Sequence, residues 1–372
     1  MTHFINFSDL TWPEVAALPR ELPLVLPLGE GYPPNEIARR LGSPERAGML
    51  QAIPFGWQGS SLPVKSGLLE AMLKNLLGGL VEDGFTKVVV LAPAGCSLRL
   101  DVPCLELPLE LPPARLELDA SRVVLAPVGH IEQHGYHLPL STDTIIIEAI
   151  GQAAAAALPR QAVCLPVIPY GVSTHRTSFA GTFNCGGRAF EDFWLGVINE
   201  LALRQVQMVY LLSGHGGNCS FLTTVVKYAG EQHPDMFCAT AWLYLSGPEG
   251  IRALEKYRRS GKGGIGHACE LETALLLHLR PDLVHMERVV DETDFISTPA
   301  YYMEWMEGGA LIANPPWLDD TLTGAYGAGS LAIPENGKLW LQAAAAEKVA
   351  HVKEIIEQHD RRTARRKERG AG

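Results

Sequence analysis

From residue 119 onward, short apolar blocks alternate with longer stretches in which apolar and polar residues are mixed. Apolar blocks bounded by Gly or Pro predict buried strands, and the longer mixed stretches predict amphipathic helices. Strands are expected over 122–128, 162–168, 207–212 and 236–243, with helices over 143–157, 188–203 and 220–231 between them. This alternation predicts an α/β protein. The expected architecture is a three-layer α/β/α sandwich, a mostly parallel sheet with helices on both faces. The run Ala153–Ala157 is a good helix former and needs no functional account. A last helix is expected over 338–358, after Pro334, and the aromatic segment 301–306 reads equally as a lid or as packing.

Polar residues that carry chemistry sit at the ends of these blocks. After the strand Val123–Val128 comes Glu132-Gln133-His134-Gly135-Tyr136-His137-Leu138-Pro139-Leu140-Ser141-Thr142-Asp143. Residues two apart in an extended segment point the same way, so Glu132 and His134 can reach one place. Asp143 returns across the turn from Gly135 to Pro139. Carboxylate and imidazole together are the ligand set of Zn, Mn or Fe sites, and a further acid suits a bridged pair. Next, Met208-Val209-Tyr210-Leu211-Leu212-Ser213 ends in Gly214-His215-Gly216-Gly217-Asn218, which puts His215 at the carboxyl edge of a strand, where α/β sheets collect ligands. The loop lacks a P-loop lysine. Third, His267-Ala268-Cys269-Glu270-Leu271-Glu272-Thr273 opens an apolar helix, where acids are also favoured by the helix dipole alone.

Together these segments resemble the creatininase family (creatinine amidohydrolase and relatives). Its patterns run approximately P-x-G-x-x-E-Q-H-G-x-H-L-P-L-x-T-D, then G-H-G-G-N, then H-A-G-E-x-E-T, and the likeness covers roughly residues 119 to 280. The resemblance implies a dinuclear site of two divalent metal ions (Zn, Mn or Fe), with Glu132, His134, Asp143 and His215 as ligands, Asp143 bridging, and Glu270 completing the second metal. It implies hydrolysis of a carbon–nitrogen amide bond in a small or cyclic amide by metal-activated water. His267 is then the expected proton donor to the leaving nitrogen, with Glu272 orienting His267 or a ligand. Creatininase carries an acid where this chain has Gly217, which argues against creatinine as substrate. Cys269 replaces the glycine of H-A-G-E, either as packing or as a soft neighbour of a metal. His175 sits one position early in the loop 170–182. The other readings are a metallopeptidase trimming a small peptide or natural-product precursor, a non-catalytic metal-binding scaffold, and a cysteine hydrolase built on Cys219 or Cys269.

The front of the chain carries an internal repeat. Leu22–Gly29 echoes Arg122–Gly129, Ile53-Pro54-Phe55-Gly56 echoes Ile168-Pro169-Tyr170-Gly171, and a helix from Leu68 to Glu82 leads into an apolar run from Val88 to Gly95. After Gly29 there is no E-x-H, and Gly95 stands where His215 would be. Residues 1–115 therefore read as a degenerate, metal-free copy that keeps the scaffold, and 119–372 as the catalytic domain. The proline-rich stretch from Leu107 to Ala114 disfavours helix and fits a linker.

Bulk properties exclude more than they assign. At 372 residues, two domains are expected. A net charge of −10 argues against a nucleic-acid surface, and the one basic run, Arg361–Arg369, reads as a solvated helix end. Seven cysteines, odd in number and without CxxC spacing, read as reduced thiols of a cytoplasmic protein. No signal peptide and no bilayer-spanning stretch is expected. The expected partner is a small-molecule or small-peptide substrate, and the resemblance implies a homo-oligomer.

Overall fold

The computed structural model describes residues 2–110, 112, 115–174, 178–302, 304–305 and 309–370. His175, Met303 and Met306, and Leu111, Pro113 and Ala114 of the expected linker, lie outside the described residues. In the first part of the chain run β1 (His3–Asn6), α1 (Trp12–Ala16), β2 (Leu24–Pro27), α2 (Pro34–Arg40), β3 (Arg46–Met49), α3 (Ser66–Glu82), β4 (Val88–Pro93) and β5 (Cys104–Leu107). The rest contains β6 (Val123–Val128), α4 (Thr142–Ala157), β7 (Ala162–Cys164), α5 (Gly187–Leu203), β8 (Met208–Ser213), α6 (Gly216–Gln232), β9 (Phe237–Thr240), α7 (Pro248–Tyr257), β10 (Ile265–His267), α8 (Glu270–Leu279), β11 (Tyr326–Gly327) and α9 (Pro334–Glu368).

Two parallel sheets result, with strand orders β1-β3-β2-β4-β5 and β7-β6-β8-β9. The order of β3-β2-β4-β5 is that of β7-β6-β8-β9. The match extends to single hydrogen bonds: Gly29 N donates to Ile53 O at 2.8 Å, and Gly129 N donates to Ile168 O at 2.9 Å. Alternate strand residues face opposite layers. Leu24, Leu26, Val88 and Val90 of the first sheet, and Val124, Ala126, Val209 and Leu211 of the second, join one apolar cluster with α3, α5 and α6. The opposite face of the second sheet, through Val123, Leu125, Tyr210 and Leu212, packs on α4, α8 and α9. The two sheets thus share a helical layer whose core includes Trp194, Phe190, Phe193 and Leu73, all buried.

Four expected boundaries move, and the simplest is the strand expected over 236–243, which spans only Phe237–Thr240. The strand expected over 162–168 is laddered only as Ala162–Cys164, because after the Leu165 N–H bond to Leu125 O the chain leaves β6 and rejoins it at the bridge Val128–Ile168. The helix expected from Ser220 begins at Gly216, so the two glycines form its first turn rather than a loop. The last helix runs from Pro334 to Glu368, and Arg366 near its end donates to Pro234 O at 2.6 Å. The seven cysteines are free thiols. Among the described residues, no helix is long and apolar enough to cross a membrane.

Candidate metal centre

The chemistry-bearing segments meet where the carboxyl ends of β6 and β8 reach α4, α6 and α8. Glu132 and His134 follow β6, Asp143 lies in the first turn of α4, and His215 caps α6 directly after β8. His267 ends β10, and Glu272 lies in the first turn of α8. Ala268 between them takes a left-handed φ of 50°, the turn that swings the chain from β10 into the helix. All six side chains are buried.

Backbone carbonyls set three histidine rings. The Nδ1–H of His134 donates to Glu132 O at 3.0 Å, the Nε2–H of His215 to Val172 O at 3.1 Å, and the Nε2–H of His267 to Gln133 O at 2.7 Å. A ring that donates through one nitrogen presents a lone pair at the other. Those other nitrogens face carboxylates: His134 Nε2 lies 3.2 Å from Asp143 Oδ1 and 3.9 Å from Glu272 Oε1. His215 Nδ1 lies 2.9 Å from Glu132 Oε1 and 3.2 Å from Asp143 Oδ2. His267 Nδ1 lies 3.7 Å from Glu132 Oε1. Two acceptors at such distances need a cation between them, a proton or a metal ion. Asp143 presents one oxygen to each of two histidines, the arrangement of a bridging carboxylate.

The electrostatics follow. Burial alone would strip the proton from His134, but Asp143, Glu272 and Glu132 outweigh it and lift the ring to about 9. His215 is likewise lowered by burial and raised further by Glu132 and Asp143, to about 9. Burial pushes the Asp143 carboxyl up, yet His134 and His215 hold it well below the usual carboxylate range. The donor set of histidine nitrogens and carboxylate oxygens fits Zn, Mn or Fe. Ligand atoms of His134, Asp143 and Glu272 lie within 4.8 Å of one another, as do those of Glu132, His134 and His267.

Glu270 departs from its expected place. Its carboxylate accepts the backbone amides of Arg259 at 2.9 Å and Ser260 at 2.7 Å, which ties the end of α7 to α8, and it belongs to none of the groups of ligand atoms that lie within 4.8 Å of one another among the described residues. Glu272, expected to stand behind His267 or a ligand, instead faces His134 directly. On a helix, residues two apart point to different sides, so only one of the two acids can face the cluster. Cys269 lies behind Glu272, with its Sγ 3.9 Å from Glu272 Oε2. Burial first, then Glu272, pushes its thiol well above the usual range, and burial pushes Cys219 up to about 12. Neither offers a thiolate.

Other residues escaped the sequence reading. His130 stands within ligand reach of Glu132 and His215 and stacks on the His215 ring at 4.5 Å. Its Nδ1, however, accepts the Gly171 amide at 3.0 Å, so the neutral ring carries its proton on Nε2 and offers an N–H rather than a lone pair. Asn218 sews the site together, accepting Val172 N at 2.9 Å and donating to Gly129 O at 3.1 Å. Gln133 donates to Gly324 O at 2.8 Å. Both belong to quoted motifs, which give no hint of these contacts. For Trp12 the sequence names no partner: its indole donates to Thr323 O at 2.8 Å and its ring packs 5.5 Å from Tyr136. The front of the chain thus adjoins the site. Trp317 closes the other side, 5.1 Å from the His267 ring.

A buried histidine–carboxylate cluster at the strand ends of an α/β sandwich defines a candidate metal centre of hydrolase type. The chain belongs to the creatininase family, since the family model described as "Creatininase: Creatinine amidohydrolase" matches residues 110–352. A mycofactocin precursor peptide peptidase of Mycobacterium ulcerans (strain Agy99) is 33% identical over 173 residues, 45% of this chain and 62% of that protein's length. A creatinine amidohydrolase of Pseudomonas putida is 30% identical over 182 residues, 45% of this chain and 68% of its length. The fold is similar to that of a mutant creatininase described as Zn–Zn type, with a TM-score of 0.51 at 23% identity, covering 63% of this chain and 91% of that one.

Proposed function

We propose that the chain is a metal-dependent hydrolase of a carbon–nitrogen amide bond, working with two divalent ions. The observation that carries this reading is the set of three histidines, each fixed by a backbone carbonyl, whose remaining nitrogens face Glu132, Asp143 and Glu272. Glu132, Asp143 and His215 would hold one ion, and His134, Asp143 and Glu272 the other. Such a pair, when bound, supplies an activated water and polarises the carbonyl under attack. His267 takes the part of proton carrier: its Nε2–H is committed to Gln133 O, so Nδ1 accepts a proton from the attacking water and returns it to the leaving nitrogen. The Trp12, Tyr136 and Trp317 rings would exclude bulk water from that transfer.

Gly217 supports a substrate other than creatinine. A Cβ there would lie 2.3 Å from Val172 O and 2.4 Å from His215 Nε2, so no acid fits at that position and Glu272 supplies the carboxylate from another helix. The shared order of β3-β2-β4-β5 and β7-β6-β8-β9 supports reading residues 1–115 as a metal-free counterpart of the catalytic part.

The test is metal analysis of the purified chain together with turnover of small amides, cyclic amides and short peptides. Two equivalents of metal and chelator-sensitive hydrolysis are expected, with both lowered in Glu132→Gln. Undiminished turnover in metal-stripped protein overturns the reading. Which substrate arm responds separates small-amide from peptide hydrolysis.

A further inference from the structure

His215 Nδ1 faces Glu132 and Asp143 while its Nε2–H donates to Val172 O, so the direction of that carbonyl sets the direction of the ring. The backbone at 171–172 is itself held by two side chains. The Val172 amide donates to Asn218 Oδ1 at 2.9 Å, and the Gly171 amide donates to His130 Nδ1 at 3.0 Å. We propose that His130 is a positioning residue, which aims the Val172 carbonyl at His215 and so keeps the His215 ring turned toward Glu132 and Asp143. The proposal rests on the reading of Glu132, Asp143 and His215 as the ligands of one ion.

The His130 ring is fully buried and lies on the His215 ring, with centroids 4.5 Å apart and planes at 29°. A flat ring in that place limits the tilt of His215 as well as fixing its carbonyl partner. His130 stands in the loop that supplies Glu132, whereas His215 caps α6. One ring therefore couples the two segments whose side chains meet at 2.9 Å, between His215 Nδ1 and Glu132 Oε1. The residue on the other end of the bond is fitted to it. A Cβ on Gly171 would lie 2.1 Å from Asn218 Oδ1, so only glycine lets this backbone come so close. With Nδ1 accepting the amide, the neutral His130 ring keeps its proton on Nε2 and supports His215 without competing for a metal. In the pattern P-x-G-x-x-E-Q-H this position is open, so the motif assigns it no part.

The metal-stripped full chain is titrated with Zn by calorimetry, and the Co-loaded chain is read by visible absorption, which reports coordination geometry. His130→Phe keeps a flat ring and removes the acceptor, whereas His130→Asn puts an oxygen in the place of Nδ1. His130→Phe should weaken one Zn equivalent by about ten- to hundredfold and shift the Co absorption. His130→Asn should recover about tenfold of that loss. If His130→Phe does not fold, His130→Gln takes its place, because that amide reaches the position of Nε2 rather than Nδ1. Zn should then bind His130→Asn about tenfold more tightly than His130→Gln. Zn affinity in His130→Phe within about twofold of the unchanged chain overturns the proposal, whatever the melting temperature. So does an equal loss in His130→Asn and the variant it is compared with. An unchanged chain that takes up no Zn overturns the metal reading itself, and this proposal with it.

Discussion

Four strands of the first sheet follow the order of the second, and Gly29 and Gly129 make corresponding hydrogen bonds, yet among the described residues the metal-type clusters lie at the second sheet alone. In the second half, β6 and β8 end in Glu132, His134 and His215. In the first half, β2 and β4 end in Glu30-Gly31 and Ala94-Gly95, and the space above β2 is a cavity rather than a knot of histidines. The scaffold is therefore separable from the chemistry. Apolar alternation and a few glycines are enough to build the sheet, while the site depends on a handful of side chains grafted onto its edge.

The largest effect expected from this comparison comes from cutting the halves apart. A 119–372 fragment exposes the face of α5 that holds Phe190, Phe193 and Trp194, residues buried in a cluster shared with α3. Burying one such aromatic side chain is worth about 1.5–3 kcal/mol, and a domain has about 5–15 kcal/mol in total. The fragment should aggregate or lose its cooperative melt, read by size-exclusion chromatography and thermal unfolding. A monodisperse, active fragment would instead show that the first half is dispensable.

Next comes Glu132→Gln, which removes a carboxylate facing both His215 and His267. Hydrolysis should fall by about a thousandfold or more. Chelator treatment of the unchanged protein should match that loss, with recovery on adding Zn or Mn.

The two acids of α8 sharpen the assignment. Glu272→Gln should lower metal content, since this acid faces His134. Glu270→Gln should keep its metal and lose about 2 kcal/mol of stability, because a carboxylate acceptor of two backbone amides, one of them buried, is lost. The opposite outcome would return Glu270 to the centre.

Metal uptake should depend on pH in a definite direction. In the metal-free chain His134 and His215 sit at about 9 against an ordinary 6.5. Their ion pairs stabilise the fold fully below 6.5, and that contribution is lost as pH rises through 9. A metal ion must displace those protons, so its apparent affinity should rise between pH 6.5 and 9 with proton release. Calorimetry in buffers of different ionisation enthalpy would read this directly.

Cys269→Ser should matter least. The thiol is buried, held well above its usual range, and lies 3.9 Å from the far oxygen of Glu272. Stability should change by less than about 1 kcal/mol, and thiol alkylation should leave activity in place.

Much of this was legible beforehand. Seven strands and helices between 122 and 243 are visible because buried parallel strands are short apolar runs and the helices between them are long. Glu132, His134, Asp143 and His215 could be grouped because each ends a strand or opens a helix, so topology alone brings them near one edge. Glu270 was the acid expected at the second metal, with Glu272 behind His267 or a ligand; both occupy one first turn, and which of them faces the cluster depends on how α8 is rolled against α9 and β10. Nor did any pattern connect Trp12 with Thr323, because a contact across most of the chain leaves no local trace.

What the amino-acid order determined alone is the alternation of elements, the echo of short motifs between the two halves and the pool of histidines and acids, all of which rest on local periodicity and residue type. Packing decided which nitrogen of each ring turns inward, which acid of α8 joins it, and that the two halves share one core. Those outcomes depend on carbonyls, amides and apolar faces supplied from distant parts of the chain, and these acquire positions only once the sheets have closed on their common helices.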